Sequence, residues 1–222
     1  MKKNLSVAVA AALASGMFAG GVEAVTVSGV TVEYTFDDTL LGLFGSWSIS
    51  GDKLLFDPTQ FKAVASNPGF VNTSQTTPLI SVKAKTGFTL QNARLLEQGD
   101  YYRLGDAAAT GVGVGGQFIV NGSPISFPIS SLTDTTSISA FTTTPWTVDL
   151  TGTLGGDNGT LKLQNILVAG VLLQNVVAQS FIEKKLVDIW VTTSAVPLPP
   201  AAWMLGSALV GLVSVSRRKH AS

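Results

Sequence analysis

Apolar and polar side chains alternate along most of the chain. Between residues 30 and 36, Val30, Val32, Tyr34 and Phe36 share one parity, with Thr31, Glu33 and Thr35 between them. Successive side chains of a strand point to opposite faces, so this run predicts a strand with one face buried. The same period of two recurs in ISVKAK at 80–85, ISFPI at 125–129 and WTVDL at 146–150. Gly51-Asp52 separates two such runs, and Asn121-Gly122 separates two more. Asn-Gly is the strongest short hairpin cue, because both central residues of a type I′ turn take positive φ. The charged triplet Glu183-Lys184-Lys185, between an apolar run ending at Ile182 and another starting at Leu186, predicts a last hairpin turn. No segment carries a capped helical period. Strands about ten residues apart, each with one apolar face, must cover that face with a second sheet. The expectation for 25–195 is an all-β fold, an antiparallel β-sandwich of jelly-roll type, with a closed barrel as the alternative. An outer-membrane barrel fits poorly, since many of the runs are too short.

The two ends depart from this pattern. Residues 1–24 read MKKNLSVAVAAALASGMFAGGVEA, with Lys2 and Lys3 ahead of an apolar run that Gly16, Gly20 and Gly21 interrupt. Val22 and Ala24 stand three and one residues before an expected cut, where signal peptidase admits only small side chains. The segment is short for a membrane span and reads as a signal peptide removed after Ala24. At the other end, residues 201–216 are mostly apolar. As a helix they reach about 24 Å, short of the roughly 30 Å hydrocarbon core of a bilayer. Arg217, Arg218 and Lys219 follow at once, a basic stop cluster that favours the cytoplasmic side. Pro197, Pro199 and Pro200 cannot continue that helix backwards, because proline lacks the amide donor and restricts its predecessor. Val196, Pro197, Leu198 and Pro199 are therefore expected to be extended, just outside the membrane.

This succession of prolines, short apolar helix and basic cluster resembles the PEP-CTERM sorting signal in its VPLP form, over 196–222. Leu198 stands where the namesake motif has glutamate, and Pro200 is an additional proline. The resemblance implies an exosortase as partner, transient residence in the inner membrane, and delivery to the cell surface or extracellular matrix of a Gram-negative bacterium that makes exopolysaccharide. It also implies a part in surface or biofilm structure. The stretches SGDKLLFDPTQFKAVAS at 50–66 and ISVKAKTGFTLQNARLLEQGDYYRLG at 80–105 are similar to small proteins of that family, which implies no activity.

Composition narrows the chemistry. Hydrophobic residues make up 45% of the chain and charged residues 13%, an imbalance that the two ends carry in large part. Residues 25–196 hold thirteen acids against nine bases, a net charge of −4, which argues against nucleic acid as a partner. There is no cysteine, and the single histidine, His220, follows the basic cluster. A Ser-His-acid set and a zinc site built on Cys or His are thereby excluded from the expected mature domain. Glu33, Glu97 and Glu183 do not form the paired carboxylates of a glycosidase, and no catalytic residue is expected. Turn-adjacent acids, Asp37, Asp38, Asp52 and Asp57 with Glu97, Asp100 and Asp106, are weak candidates for calcium, and turn capping is the simpler reading. Tyr101 and Tyr102 are candidates for a sugar platform, whereas Trp47 and Trp146 fall on core parity. TGVGVGG at 110–116 lacks the lysine and the following helix of a phosphate loop and reads as a closely packed strand. The leading expectation is an exported, non-enzymatic matrix protein without cofactor. The alternative is a carbohydrate-binding sandwich, with or without calcium.

Overall fold

The computed structural model describes residues 24–105, 108–132, 142–174 and 177–197, with 204, 207 and 208. Val22, Leu198, Pro199, Arg217, Arg218, Lys219 and Asp106 lie outside the described residues. In chain order the strands are β1 (Val25–Ser28), β2 (Val32–Phe36), β3 (Ser46–Ser50), β4 (Lys53–Asp57), β5 (Lys62–Ala65), β6 (Gly69–Thr76) and β7 (Ile80–Ala84). They continue as β8 (Phe88–Leu104), β9 (Thr110–Val120), β10 (Ser123–Leu132), β11 (Thr144–Thr153), β12 (Asn158–Val171) and β13 (Gln179–Ala195). One sheet has the order β1-β2-β7-β12-β9-β10, with β6 on β12; the other has β11-β8-β13-β4-β3, with β5 on β13. Every ladder is antiparallel. No helix among the described residues is long and apolar enough to cross a membrane.

From β8 onward the chain changes sheet at almost every connection, and the two sheets share one core. The alternation in the sequence is the cause: Val32, Tyr34 and Phe36 of β2, and Ile80, Val82 and Ala84 of β7, all point inward. Val30 belongs to the expected parity but is 68% exposed, because the chain bends there and β2 begins two residues later. Two of the three expected turns form. Gly51 takes φ 62° between β3 and β4, and Asn121 and Gly122 take φ 50° and 78° between β9 and β10. The TGVGVGG stretch is the start of β9, buried along most of its length.

Each sheet has one long strand whose edge serves two shorter partners. β12 pairs with β7 through 158–161 and with β6 through 164–171. Thr77 fills the gap: its N–H donates to the Leu163 carbonyl at 2.8 Å, and its hydroxyl oxygen accepts the Leu163 N–H at 2.9 Å. β13 pairs with β5 through 180–183 and with β4 through 187–190, and between them the Lys184 N–H donates to the Phe61 carbonyl at 2.9 Å.

Residues 183–185 do not form the expected hairpin turn. β13 runs through them, and its register against β8 shifts between Lys184 and Leu186. A bulge inserts one residue, so the inward set changes parity there. Ile182 and Lys184 point inward before it, and Val187, Ile189 and Val191 after it.

Candidate functional site

Asp37, Asp38 and Asp52, three of the acids expected at turns, bond within the turns or to the segments beside them. The Asp52 carboxylate accepts the Thr31 N–H at 2.8 Å and the Thr31 hydroxyl at 2.6 Å, tying the β3–β4 turn to the entrance of β2. Asp37 accepts the Thr39 N–H and hydroxyl at 3.0 and 2.6 Å, and Asp38 accepts the Trp47 indole N–H at 3.3 Å. Asp57 is exposed at the end of β4. Among the described residues no three His, Cys, Asp or Glu side chains gather as a metal ion would need. Tyr101 is buried in the core and offers no ring to the surface. Tyr102 points to the opposite face, stacks on Phe181 with centroids 5.0 Å apart, and donates its hydroxyl to Gln179 Oε1 at 3.1 Å. Trp146 is buried, and Trp47 is half-buried with its ring edge-on to Phe36. Of the sorting residues, Val196 and Pro197 directly follow β13, and the Val196 N–H donates to the Gly87 carbonyl at 2.8 Å.

The structure brings together three polar residues that the charge and turn patterns do not group, and Glu97, expected beside a turn, lies buried within β8. Glu97 of β8, Asn165 of β12 and Lys184 of β13 meet between the two sheets. Lys184 Nζ lies 2.6 Å from Glu97 Oε1 and donates to Asn165 Oδ1, also at 2.6 Å. Asn165 Nδ2 donates to Glu97 Oε2 at 3.2 Å, closing a ring of three contacts. The side chains of Lys184 and Glu97 have no solvent exposure, and Asn165 has 3%. Three rings surround the ammonium: Phe61, Trp146 and Phe44, with centroids 5.3, 5.7 and 6.0 Å from Nζ. Ring faces attract a cation, which offsets part of its lost hydration.

Glycine makes this arrangement fit. A Cβ on Gly99 would lie 2.6 Å from the Trp146 ring and 1.9 Å from the Glu183 carbonyl, and one on Gly116 would meet Asn165 Nδ2 at 3.0 Å. The Trp146 indole N–H is then anchored on the Glu183 carbonyl at 3.1 Å. Burial pushes the Lys184 amine down to about 8, with the Glu97 carboxylate opposing that shift by charge and hydrogen bond. Burying an ion pair gains little against an apolar filling of the same volume, so fold stability alone does not account for it.

Each member sits in a row of inward apolar positions: Leu95 and Tyr101 flank Glu97 on β8, Leu163 and Leu167 flank Asn165, and Ile182 precedes Lys184. Correct strand parity therefore finds them; reading 183–185 as a turn hides Lys184. In comparison with known proteins, no family model and no curated protein matches the chain.

Proposed function

We propose that the chain is an exported, exosortase-processed structural protein of the cell surface or extracellular matrix, a jelly-roll β-sandwich with no reaction of its own on an external substrate. Signal peptidase removes 1–24, 25–195 is the folded body, and 196–222 is the sorting signal. One observation carries the reading. The last strand ends at Ala195, and the proline motif starts at the next residue, so a cut near the motif leaves every described strand whole. The Arg217-Arg218-Lys219 cluster, the short apolar run and the VPLP motif support the same reading from sequence. A glycan-binding role has less support, because Tyr101 is inside and Tyr102 shares its ring face with Phe181.

The test is C-terminal mass spectrometry of the protein from producing cells with and without exosortase activity, with its location scored in each. A new C-terminus near 196–200 that depends on the exosortase is the expected result. Full-length protein, intact at both termini and dissolved in the cell interior, overturns the proposal.

A further inference from the structure

We propose that Lys184 and Asn165 become joined by an intramolecular isopeptide bond, with Glu97 carrying the protons. The inference rests on the buried cluster and is independent of export and sorting.

The geometry has the parts that amide exchange needs. A nucleophilic amine touches the carboxamide: Nζ is 2.6 Å from Oδ1 and so no farther than about 3.8 Å from Cγ, one C=O bond beyond. A carboxylate touches both reactants, Glu97 Oε1 on the amine and Oε2 on the amide nitrogen that must leave. That is the placement of a general base that becomes a general acid. None of the three side chains is more than 3% exposed, so water, the competing nucleophile, is kept out. Lys184 is held between fixed rings, and reactants so confined need no further ordering to react. The lowered basicity of Lys184 supports the step, because more of the amine is neutral near neutral pH than in an exposed lysine.

The steps balance. The Lys184 ammonium gives one proton to Glu97, and the neutral amine attacks Asn165 Cγ. The Nζ–Cγ bond forms while the carbonyl π pair moves onto Oδ1. Glu97 then delivers its proton to Nδ2 and takes the second proton from Nζ, to pass it to the leaving ammonia. The pair on Oδ1 returns, the Cγ–Nδ2 bond breaks, and ammonia departs with the remaining proton as ammonium. One ammonium and one primary amide become one secondary amide and an ammonium ion. Glu97 is regenerated, and no oxidant, metal or cofactor takes part. Because Asn165 belongs to one sheet and Lys184 to the other, the bond fastens the two layers together.

The test is made on the wild-type protein. Its intact mass should lie about 17 Da below that of its sequence, the loss of one ammonia. Trypsin should no longer cut after Lys184. A protease that cuts between 166 and 181 should leave the fragments carrying Asn165 and Lys184 joined as one species. Glu97→Gln and Asn165→Ala should give full mass and separate fragments, with linking in Glu97→Gln at least about a hundredfold slower. Wild-type protein of full mass overturns the proposal. So does a mass loss with fragments that separate, which is cyclisation of an asparagine on its own backbone. Should a variant fail to fold, the wild-type digest decides alone.

Discussion

Replacing Lys184 by Met leaves a carboxyl group at Glu97 that is sealed from water and has lost the one cation within 4 Å of it among the described residues, keeping the Asn165 amide at 3.2 Å. A buried carboxyl without a cation takes up a proton instead of remaining charged. The unfolded chain, with an ordinary carboxyl value of about 4.3, releases that proton at pH 7. Retaining it in the fold therefore costs about 4 kcal/mol at pH 7 and about 1 kcal/mol at pH 5. The folded state binds the extra proton, so stability falls as pH rises above 4.3. The comparison is Lys184→Met against Lys184→Met with Glu97→Gln, which keeps the shape and removes the ionisable group. Neither variant can form the proposed link, so the difference isolates the carboxyl. Urea unfolding followed by tryptophan fluorescence reads it: at a slope of about 2 kcal/mol per molar, the double variant's midpoint at pH 7 lies about 2 M higher. A gap that does not change with pH, or one below about 1 kcal/mol at pH 7, refutes the reasoning, for then Glu97 reaches water or another cation.

In Asn165→Ala, Lys184 remains ionisable with its value near 8 against 10.5 unfolded. The unfolded chain then binds more protons between those values, so stability should rise by about 2 kcal/mol from pH 8 to 10 in denaturant titrations. A flat profile means the amine is hydrated. Gly99→Ala should lower stability by about 1–3 kcal/mol in thermal unfolding, because its methyl would overlap the Glu183 carbonyl and the Trp146 ring. Asn121→Ala should cost about 1–3 kcal/mol. It places a less tolerant residue at φ 50° and removes the bonds from Nδ2 to the Leu154 carbonyl and from the Thr160 N–H to Oδ1. Changing Arg217, Arg218 and Lys219 together to Ser should weaken membrane retention before processing, scored by cell fractionation. Unaltered retention and processing would remove those cations from the topology.

Strand parity made much of the fold readable. Ile80, Val82 and Ala84 and the Asn121-Gly122 turn stand as alternation and turn chemistry place them. Trp146 is in the core as its parity indicates. The cluster was hidden for two physical reasons. Three consecutive charges at 183–185 look like a solvated turn, yet in a strand only the middle one faces inward, and here a bulge follows it. The environment that makes burial of Lys184 tolerable comes from residues 44, 61, 97, 146 and 165, whose convergence depends on how the sheets stack. Linear spacing carries no record of that distance. Tyr101 and Tyr102 illustrate the converse: alternation sends them to opposite faces, and the tertiary fold decides which of the two is covered.

The position of β13 also fixes how the molecule meets tension. A pull on the chain beyond Ala195 enters at a strand flanked on one side by β8 over its whole length and on the other by β4 and β5 in series. Such a strand has to slide past both neighbours, breaking many hydrogen bonds at once, where an outermost strand would peel off one pair at a time. Anchored by its C-terminal end, this body would resist shear as a unit.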